Sequence, residues 1–300
     1  MKRLSQANAL INLSLCLLVF IWVIGWFFTM SGLDKSTPFS FSALRFLIAA
    51  LVMHLLIFLG ARHARYTLQE WFFILLVGIF QTTMMFSLAS YGMIEVGLSK
   101  AAILIYSTPV WTSLLGWYFL SERLSIFKFF GLAFACLGIL LISIPSFFYG
   151  SGIGVLLLIG SSLSWSVSSV ILKSRLARKD MICITAWQMT FGSIGLIALA
   201  FYVDGQIVFE VGFEGLFALI YVSLGASVVG FTLWFYIVSR VDLIRSSMAS
   251  LFVPVSVLII QEVRAGERLD LILVVASVFI VLGLIMVIIG TQVGKKSGDR

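Results

Sequence analysis

The stretch Ser99–Leu124, SKAAILIYSTPVWTSLLGWYFLSERL, decides the fold because its pattern returns at Ser246–Leu269, SSMASLFVPVSVLIIQEVRAGERL. In each stretch, an apolar run holds a proline, and a Glu-Arg-Leu triplet follows 13 residues after it. The residues that match at an offset of 145 positions are Pro109 and Pro254, Glu122 and Glu267, and the Leu-Gly pairs Leu137-Gly138 and Leu282-Gly283. A weaker match, at an offset of 143, joins Trp22 to Trp165. Because one offset links several matches without a gap, we infer that the chain contains an internal duplication.

The composition around these stretches indicates a membrane protein. The chain has 300 residues, of which 61% are hydrophobic and 11% charged, and its mean hydropathy is +1.13. Soluble domains carry about 25% charged residues, so an ordinary soluble fold is excluded. Apolar runs of about 20 residues, the length of a helix that crosses a bilayer, favour helical spans over a barrel of short alternating strands.

The apolar runs predict an all-α membrane protein with ten transmembrane helices, arranged as two inverted five-helix repeats. The first repeat covers residues 1–148, and the second covers residues 149–300 with a short cytoplasmic tail. The predicted spans are 9–30, 39–60, 71–91, 100–120, 127–147, 152–173, 182–202, 213–238, 244–263 and 269–290. A repeat with an odd number of spans must enter the membrane from the opposite side in its second copy, so the halves are expected to be inverted.

The distribution of basic residues predicts the orientation. If the N-terminus is cytoplasmic, most Lys and Arg residues fall in cytoplasmic segments, whereas the opposite loops hold only Lys35, Lys100, Arg264 and Arg268. Cytoplasmic loops of membrane proteins carry the excess of Lys and Arg. We therefore expect an integral membrane protein with both termini in the cytoplasm. The net charge of +7 is explained by these loops, and no nucleic-acid partner is expected.

Inverted repeats of this kind are typical of secondary transporters, in which two equivalent halves exchange inward-open and outward-open states. A duplication kept only for packing is the plainer alternative. An intramembrane enzyme needs His, Asp and Glu clustered near one membrane face, and here these residues are scattered. A channel without alternating access is the remaining alternative.

The two stretches quoted first resemble the signature of the EamA family in the drug/metabolite transporter superfamily. Similar pieces are Trp22–Gly25, Leu44–Leu51 and Leu233–Tyr236, so the resemblance runs through nearly the whole chain in order. It implies a ten-helix carrier that moves small metabolites, often amino acids or drugs, commonly outward across the bacterial inner membrane. It also implies a substrate path between the halves, lined mainly by spans 1, 3, 4, 6, 8 and 9.

Four residues are candidates for hinges or gates. Pro109 and Pro254 lie in mid-span, where a proline removes one backbone hydrogen bond and kinks the helix; a static kink without function is the alternative. Glu122 and Glu267 mark the ends of spans, where either gating or simple loop anchoring is expected.

Arg45 lies about two turns inside span 2, roughly 9 Å deep at 1.5 Å per residue. Charges at such depth usually mark function, although a long side chain can also reach outward to the membrane surface. If Arg45 faces the interior, an anionic substrate group or a carboxylate is its expected partner. Gln81 lies midway along span 3 and is expected to face the interior. His54 either titrates with a proton cycle or, as we favour, is a neutral hydrogen-bonded histidine.

The candidates for substrate binding combine aromatic, amide and hydroxyl groups with this one charge, as transporter cavities do. They are Trp22, Trp26, Arg45, Gln81, Tyr106, Trp165, Ser168, Gln188 and Trp234. Such a sparsely charged path suits amphipathic solutes such as neutral amino acids. Serines along span 6 predict close helix packing or a cavity wall.

No cofactor and no metal are expected, since Cys16, Cys136, Cys183, His54 and His63 show no metal-ligand spacing. The chain is not expected to be an enzyme. Its expected partners are a small-molecule substrate and membrane lipid, and its expected state is a monomer, with an oligomer as the alternative.

Overall fold

The computed structural model describes residues 2–62, 64–96, 101, 104–105, 107–122, 125–149, 152–243, 246–247, 250, 252–265 and 271–298. This part of the chain is helical and contains no strand. One isolated antiparallel bridge joins Ser36 to Phe209. An apolar chain in lipid must satisfy its own backbone groups, and helices do so within each segment.

The helices follow the apolar runs of the sequence. Their bounds are α1 (Lys2–Leu33), α2 (Pro38–Leu59), α3 (Leu68–Val96), α4 (Thr108–Leu120), α5 (Ile126–Tyr149), α6 (Gly152–Leu176), α7 (Met181–Asp204), α8 (Phe213–Val238), α9 (Phe252–Ala265) and α10 (Leu271–Gly298). Within the described residues, six of them contain segments long and apolar enough to cross a membrane: Leu10–Leu33 of α1, and all of α2, α3, α6, α7 and α8. The full set of ten inverted spans stays a prediction.

Local sequence signals account for several helix ends. Thr67 and Glu70 form a capping box at the start of α3, with hydrogen bonds of 2.9 and 3.3 Å. Asp180 caps α7 by accepting from the backbone N–H groups of Ile182 and Cys183. These side chains satisfy N–H groups that the first turn of a helix leaves without partners.

The chain forms two compact units, each drawn from both halves of the sequence. Unit 1 consists of residues 1–90 and 171–240, and unit 2 of residues 91–170 and 241–300. In unit 1, α2 packs along α7, and α1 packs on α8. In unit 2, α5 packs along α10, where Phe134 and Phe279 stack with ring centroids 5.7 Å apart.

In the described part of the chain, three helices contain a turn of π-helix, which is wider than an α-helical turn. These turns are Ile79–Met84 in α3, Leu172–Leu176 in α6 and Val222–Val229 in α8. The offset of 145 carries residues 79–84 onto residues 224–229, which lie inside the π-turn of α8. Single π-turns inside α-helices occur frequently at functional sites, so this equivalence singles out α3 and α8.

Each of the two repeat prolines lies near the start of a helix, just after a turn that separates it from helical residues earlier in the chain. Pro109 lies in the first turn of α4, after Ser107, and Pro254 is the third residue of α9. A three-residue turn lies beside each proline: Val110 N–H donates to Ser107 C=O across Pro109, and Val253 N–H donates to Ser250 C=O before Pro254, both at 3.0 Å. In α4 the proline therefore lies in the first helical turn, where it removes no intrahelical hydrogen bond, and its role as a hinge stays a prediction.

Candidate functional site

Arg45 of α2 points into unit 1. Its side chain is only 6% exposed, and its Nε donates a 2.7 Å hydrogen bond to Ser227 Oγ in the π-turn of α8. The guanidinium carbon also lies 5.0 Å from the ring centroid of Phe46 and 4.9 Å from that of Phe86. Of the two sequence-based alternatives, the structure therefore supports the interior position over an outward-reaching side chain.

Ser227 is held in place by the π-turn itself. Its hydroxyl donates to the carbonyl of Val222, five residues earlier, at 2.9 Å. A π-turn pairs backbone groups five residues apart, and the hydroxyl of Ser227 bonds to a carbonyl at this same separation. The same oxygen then accepts from Arg45. The π-turn thus positions the acceptor that orients the buried guanidinium.

Gln188 of α7 makes the matching contact with α3. Its Oε1 accepts a 2.9 Å hydrogen bond from Thr82 Oγ1, which lies in the other π-turn. Gln188 and Thr82 are both fully buried. Gln188 Nε2 is also buried and has no hydrogen-bond partner among the described residues. It is therefore a buried donor in unit 1 whose hydrogen-bonding capacity is not used by the described chain.

The two contacts occupy equivalent positions of the sequence repeat. The offset of 143 carries Arg45 onto Gln188, and the offset of 145 carries Thr82 onto Ser227. In each contact, the eighth residue of one helix binds a hydroxyl in a π-turn that comes from the opposite half of the sequence. Unit 1 therefore contains two related polar contacts between α2 and α8 and between α7 and α3.

Aromatic rings surround the contact of Arg45. Phe46 lies edge-on to Phe86 at 4.6 Å and to Phe231 at 5.6 Å between ring centroids. Phe86 and Phe231 follow their π-turns at equivalent positions, within the matching triplets Phe86-Ser87-Leu88 and Phe231-Thr232-Leu233. Sequence reasoning missed Thr82, Ser227 and these phenylalanines, although the same offset of 145 relates them.

Trp22 and Trp234 also lie in unit 1. The indole N–H of Trp22 donates to the carbonyl of Ala226 in the π-turn of α8 at 3.2 Å, and its ring lies 5.8 Å from that of Trp234. Trp234 is fully buried, whereas Trp26 is half-buried. Gln81, in the π-turn of α3, is fully buried, in agreement with the interior position expected from the sequence.

His54 of α2 lies at the contact with α7, within hydrogen-bond distance of a threonine. Its Nε2 lies 3.0 Å from Thr190 Oγ1 on α7, and its ring packs edge-on against Trp187 at 4.7 Å. The imidazole is thus a hydrogen-bonding link between α2 and α7. Within the described residues, no three His, Cys, Asp or Glu side chains are grouped as a metal site would need.

Unit 2 holds the remaining described candidates. Hydroxyl groups on α6 bond to the start of α4: Ser162 to Ser107 at 2.7 Å and Ser166 to Thr112 at 2.9 Å. Ser168 donates to the carbonyl of Trp165 on its own helix at 2.7 Å. The serines of α6 therefore give close packing against α4, one of the two alternatives expected from the sequence.

Glu122 lies just beyond α4 in unit 2. The helix ends at Ser121, which adopts a left-handed conformation with φ of 54°. Glu122 Oε1 accepts a 3.1 Å hydrogen bond from the backbone N–H of Leu243. Two of the sequence candidates, Tyr106 and Glu267, lie outside the described residues.

Long apolar helices, six of them able to cross a bilayer within the described residues, define an integral membrane protein. The EamA-like transporter family matches the chain at residues 9–144 and 152–289. The chain belongs to this family and is a membrane transporter, not an enzyme, with a small-molecule substrate and lipid around it.

Individual relatives cover almost the whole chain. An uncharacterized transporter of Bacillus subtilis, YoaV, is 23% identical over 269 residues, which are 89% of this chain and 92% of the relative. A Salmonella typhimurium protein named "Probable amino-acid metabolite efflux pump" is 24% identical over 290 residues, or 93% and 95% of the two chains. A solved structure titled "Crystal structure of protein" has the same fold, with a TM-score of 0.73, 19% identity and coverage of 95% and 99%.

Proposed function

We propose that the chain is a secondary transporter that exports small organic metabolites, such as amino acids or related amphipathic compounds, by alternating access between its two repeats. The observation that carries the proposal is the pair of related contacts, Arg45 with Ser227 and Gln188 with Thr82. Each contact joins the two halves of the sequence at a π-turn. If one contact strengthens while its equivalent weakens, the protein has an inward-open and an outward-open conformation of nearly equal energy.

The proposed topology is that of ten spans in two inverted repeats, residues 1–148 and 149–300, in a bacterial inner membrane with both termini cytoplasmic. The family matches at 9–144 and 152–289 fall within these two repeats. The bias of Lys and Arg toward one set of loops supports the orientation.

The proposed substrate carries a carboxylate and an apolar or aromatic side chain. A guanidinium binds a carboxylate through two parallel hydrogen bonds, and Arg45 is buried, with Phe46 and Phe86 beside it. The unused Nε2 of Gln188 is a second buried donor for an acceptor oxygen. The name of the Salmonella typhimurium relative, an amino-acid metabolite efflux pump, agrees with this chemistry.

The other candidates receive proposed roles in the same cycle. Trp22, Trp26, Gln81, Tyr106, Trp165, Ser168 and Trp234 are proposed to line the substrate path, and Pro109, Pro254, Glu122 and Glu267 to serve as hinges or gates. A helix that starts at a proline can pivot more freely than a continuous one, which supports the role of the two prolines.

Counterflow in proteoliposomes tests the proposal. We expect saturable exchange of phenylalanine or leucine, and little exchange of phenethylamine, which lacks the carboxylate. Arg45→Gln should lower amino-acid exchange at least about 30-fold, because removal of one partner of a buried charged contact costs about 2–5 kcal/mol. The exposed Arg65 provides the matched control, Arg65→Gln, which should leave exchange unchanged.

Two further measurements separate loss of function from loss of folding. Ser227→Ala should reduce exchange while the protein still elutes as a single species from a sizing column. Non-saturable flux would indicate a channel instead. Unchanged amino-acid exchange by Arg45→Gln, or exchange of nucleotide-sugars but not of amino acids, would refute the proposed substrate site.

A further inference from the structure

A groove of about 790 Å³ opens at one end of unit 1, away from the buried contact of Arg45. Its walls come from the start of α1, the segment between α6 and α7, and the end of α8. Four of its side chains are basic and one is acidic: Arg62, Arg178, Lys179 and Arg240 against Asp180. The groove is therefore strongly positive.

Two of these cations already have carboxylate partners. Arg62 Nη1 lies 2.8 Å from Asp180 Oδ2, and Lys179 Nζ lies 2.6 Å from Glu70 Oε1. Asp180 also accepts hydrogen bonds from two backbone N–H groups in the first turn of α7. The acidic side chain that lines the groove is therefore already bound by groups of the protein itself. Within the described residues, Arg178 and Arg240 have no carboxylate at ion-pair distance. These two arginines carry the excess positive charge.

Arg240 is held in a defined position. Its guanidinium carbon lies 4.3 Å from the ring centroid of Tyr236, one helical turn earlier. Such a cation–π contact orients the guanidinium without neutralising its charge. Arg240 is exposed, and Arg178 is also exposed. Both charges are thus available to an anion that enters the groove from outside.

The groove lies at the depth of the membrane surface. Leu10 is the first residue of the apolar segment of α1, Asp180 caps α7, and Arg240 comes two residues after the end of α8. Three apolar helices therefore begin or end at this level. In a bilayer this is the level of the phosphate groups of the lipids.

An apolar track leads from the groove along α1. Leu10 lines the groove, and Leu13 and Leu17 follow at helical spacing with exposed side chains. Leu233 and Ile182 add further apolar wall. A ligand that fits both features has an anionic head for the arginines and a hydrocarbon tail for the leucines.

We infer that this groove binds an acidic phospholipid, with its phosphate on Arg178 and Arg240 and its acyl chains along Leu10, Leu13 and Leu17. Basic pockets between membrane helices bind anionic lipid head groups in this way. The apolar track favours a lipid over a free anion, since a soluble anion would make no use of exposed leucines. This inference does not depend on which metabolite the protein transports.

Binding of short-chain phosphatidylglycerol to the purified full-length protein in neutral detergent tests the site, read by native mass spectrometry and by thermal stabilisation. Arg178→Gln/Arg240→Gln should weaken binding about 30-fold, because each basic residue near an anionic lipid contributes about 1 kcal/mol and 1.4 kcal/mol is tenfold. The charge-conserving Arg178→Lys/Arg240→Lys should keep most of the binding. Phosphatidylcholine of the same chain length should bind weakly to all variants.

A charge-matched control uses Arg65 and Arg175, which lie outside the groove. Arg65→Gln/Arg175→Gln should bind phosphatidylglycerol within about threefold of the parent protein. Equal losses in both double variants would show non-specific charge attraction and overturn the site. Equal stabilisation by inorganic phosphate, equal binding of phosphatidylcholine, or no binding of phosphatidylglycerol to the parent protein would also overturn it.

Discussion

The carboxylate of Glu122 accepts a hydrogen bond from the backbone N–H of Leu243 at 3.1 Å, and so joins the end of α4 to a turn 121 positions later in the chain. Leu243 is the first described helical residue after α8, and Ser246 N–H donates to Asp242 C=O at 3.1 Å. A carboxylate at such a start satisfies an N–H group and favours the positive end of the turn. Glu122 thus acts as a cap supplied by a distant helix.

Removal of this cap should affect both stability and transport. Glu122→Ala deletes the acceptor of Leu243 N–H and should lower the free energy of unfolding by about 1–3 kcal/mol. Glu122→Gln keeps an oxygen at the same position and should retain most of the stability. Thermal unfolding in detergent and counterflow measure the two effects. If the alanine and glutamine variants behave alike, the hydrogen bond is not what the carboxylate contributes.

The contact between Thr82 and Gln188 should behave as a coupled pair. Thr82→Val removes the hydroxyl that donates to Gln188 Oε1. Because the buried amide of Gln188 then lacks this hydrogen bond, the free energy of unfolding should fall by about 1–3 kcal/mol. Gln188→Met should leave Thr82 Oγ1 without this acceptor at a similar cost. The double variant should be less destabilised than the sum, because replacing both partners by apolar groups can be nearly neutral. Thermal unfolding of the four proteins gives the coupling energy, and additive losses would contradict the pair.

The sequence predicted the helical fold because the apolar runs are long and the repeats share one offset. It also predicted that Gln81 would be buried, since an amide in the middle of a span avoids lipid. It left Arg45 undecided between interior and membrane surface. That choice depends on which helix packs against α2, and the hydroxyl that settles it, Ser227, lies 182 positions away. No local pattern carries that information.

The helix start at Pro109 is a second feature that the sequence did not predict. Apolar residues continue through 100–120 without a change of composition, so hydropathy alone predicts one continuous span. The one local sign is the Ser107-Thr108-Pro109 sequence, typical of a helix start. The π-turns leave even less trace, because a wide turn changes which backbone groups pair and not which residues are apolar. The π-turn of α8 can be located in the sequence only by applying the repeat offset to the π-turn that the structure shows in α3.

The cap at the start of α7 should depend on Asp180. Asp180→Ala removes the acceptor for Ile182 N–H and Cys183 N–H, and loss of such a cap costs about 1 kcal/mol. Asp180→Asn keeps an oxygen for the cap but removes the ion pair with Arg62. In this ion pair, the side chain of Arg62 is 46% exposed and that of Asp180 is 30% exposed. Such exposed pairs contribute about 0–1 kcal/mol, so the asparagine variant should be the more stable of the two. Equal losses in thermal unfolding would contradict the cap, because both variants lack the ion pair and only the alanine variant lacks the capping oxygen.

The crossing of α5 and α10 should not accept even one added methyl group. A Cβ at Gly131 would lie 2.6 Å from the carbonyl oxygen of Gly283, and a Cβ at Gly283 would lie 2.5 Å from the carbonyl oxygen of Gly131. Backbone atoms cannot turn aside as a flexible side chain can, so the helices would have to separate. Gly131→Ala and Gly283→Ala should each lower the free energy of unfolding by about 1–3 kcal/mol, although alanine is the better helix former.

Gly212 provides the control for this crossing, since nothing lies within 4 Å of a Cβ added there. Its φ of −143° is open to any residue, so Gly212→Ala adds no clash and should cost only the preference for glycine over alanine at this N-cap of α8, less than about 1 kcal/mol. Because the two clashes arise at one contact, the double variant Gly131→Ala/Gly283→Ala should lose less stability than the sum of the single losses. Once the first alanine has moved the two helices apart, the methyl group of the second alanine no longer clashes with the facing backbone. Strictly additive losses would mean that each glycine is required by its own surroundings and not by a shared crossing of α5 and α10.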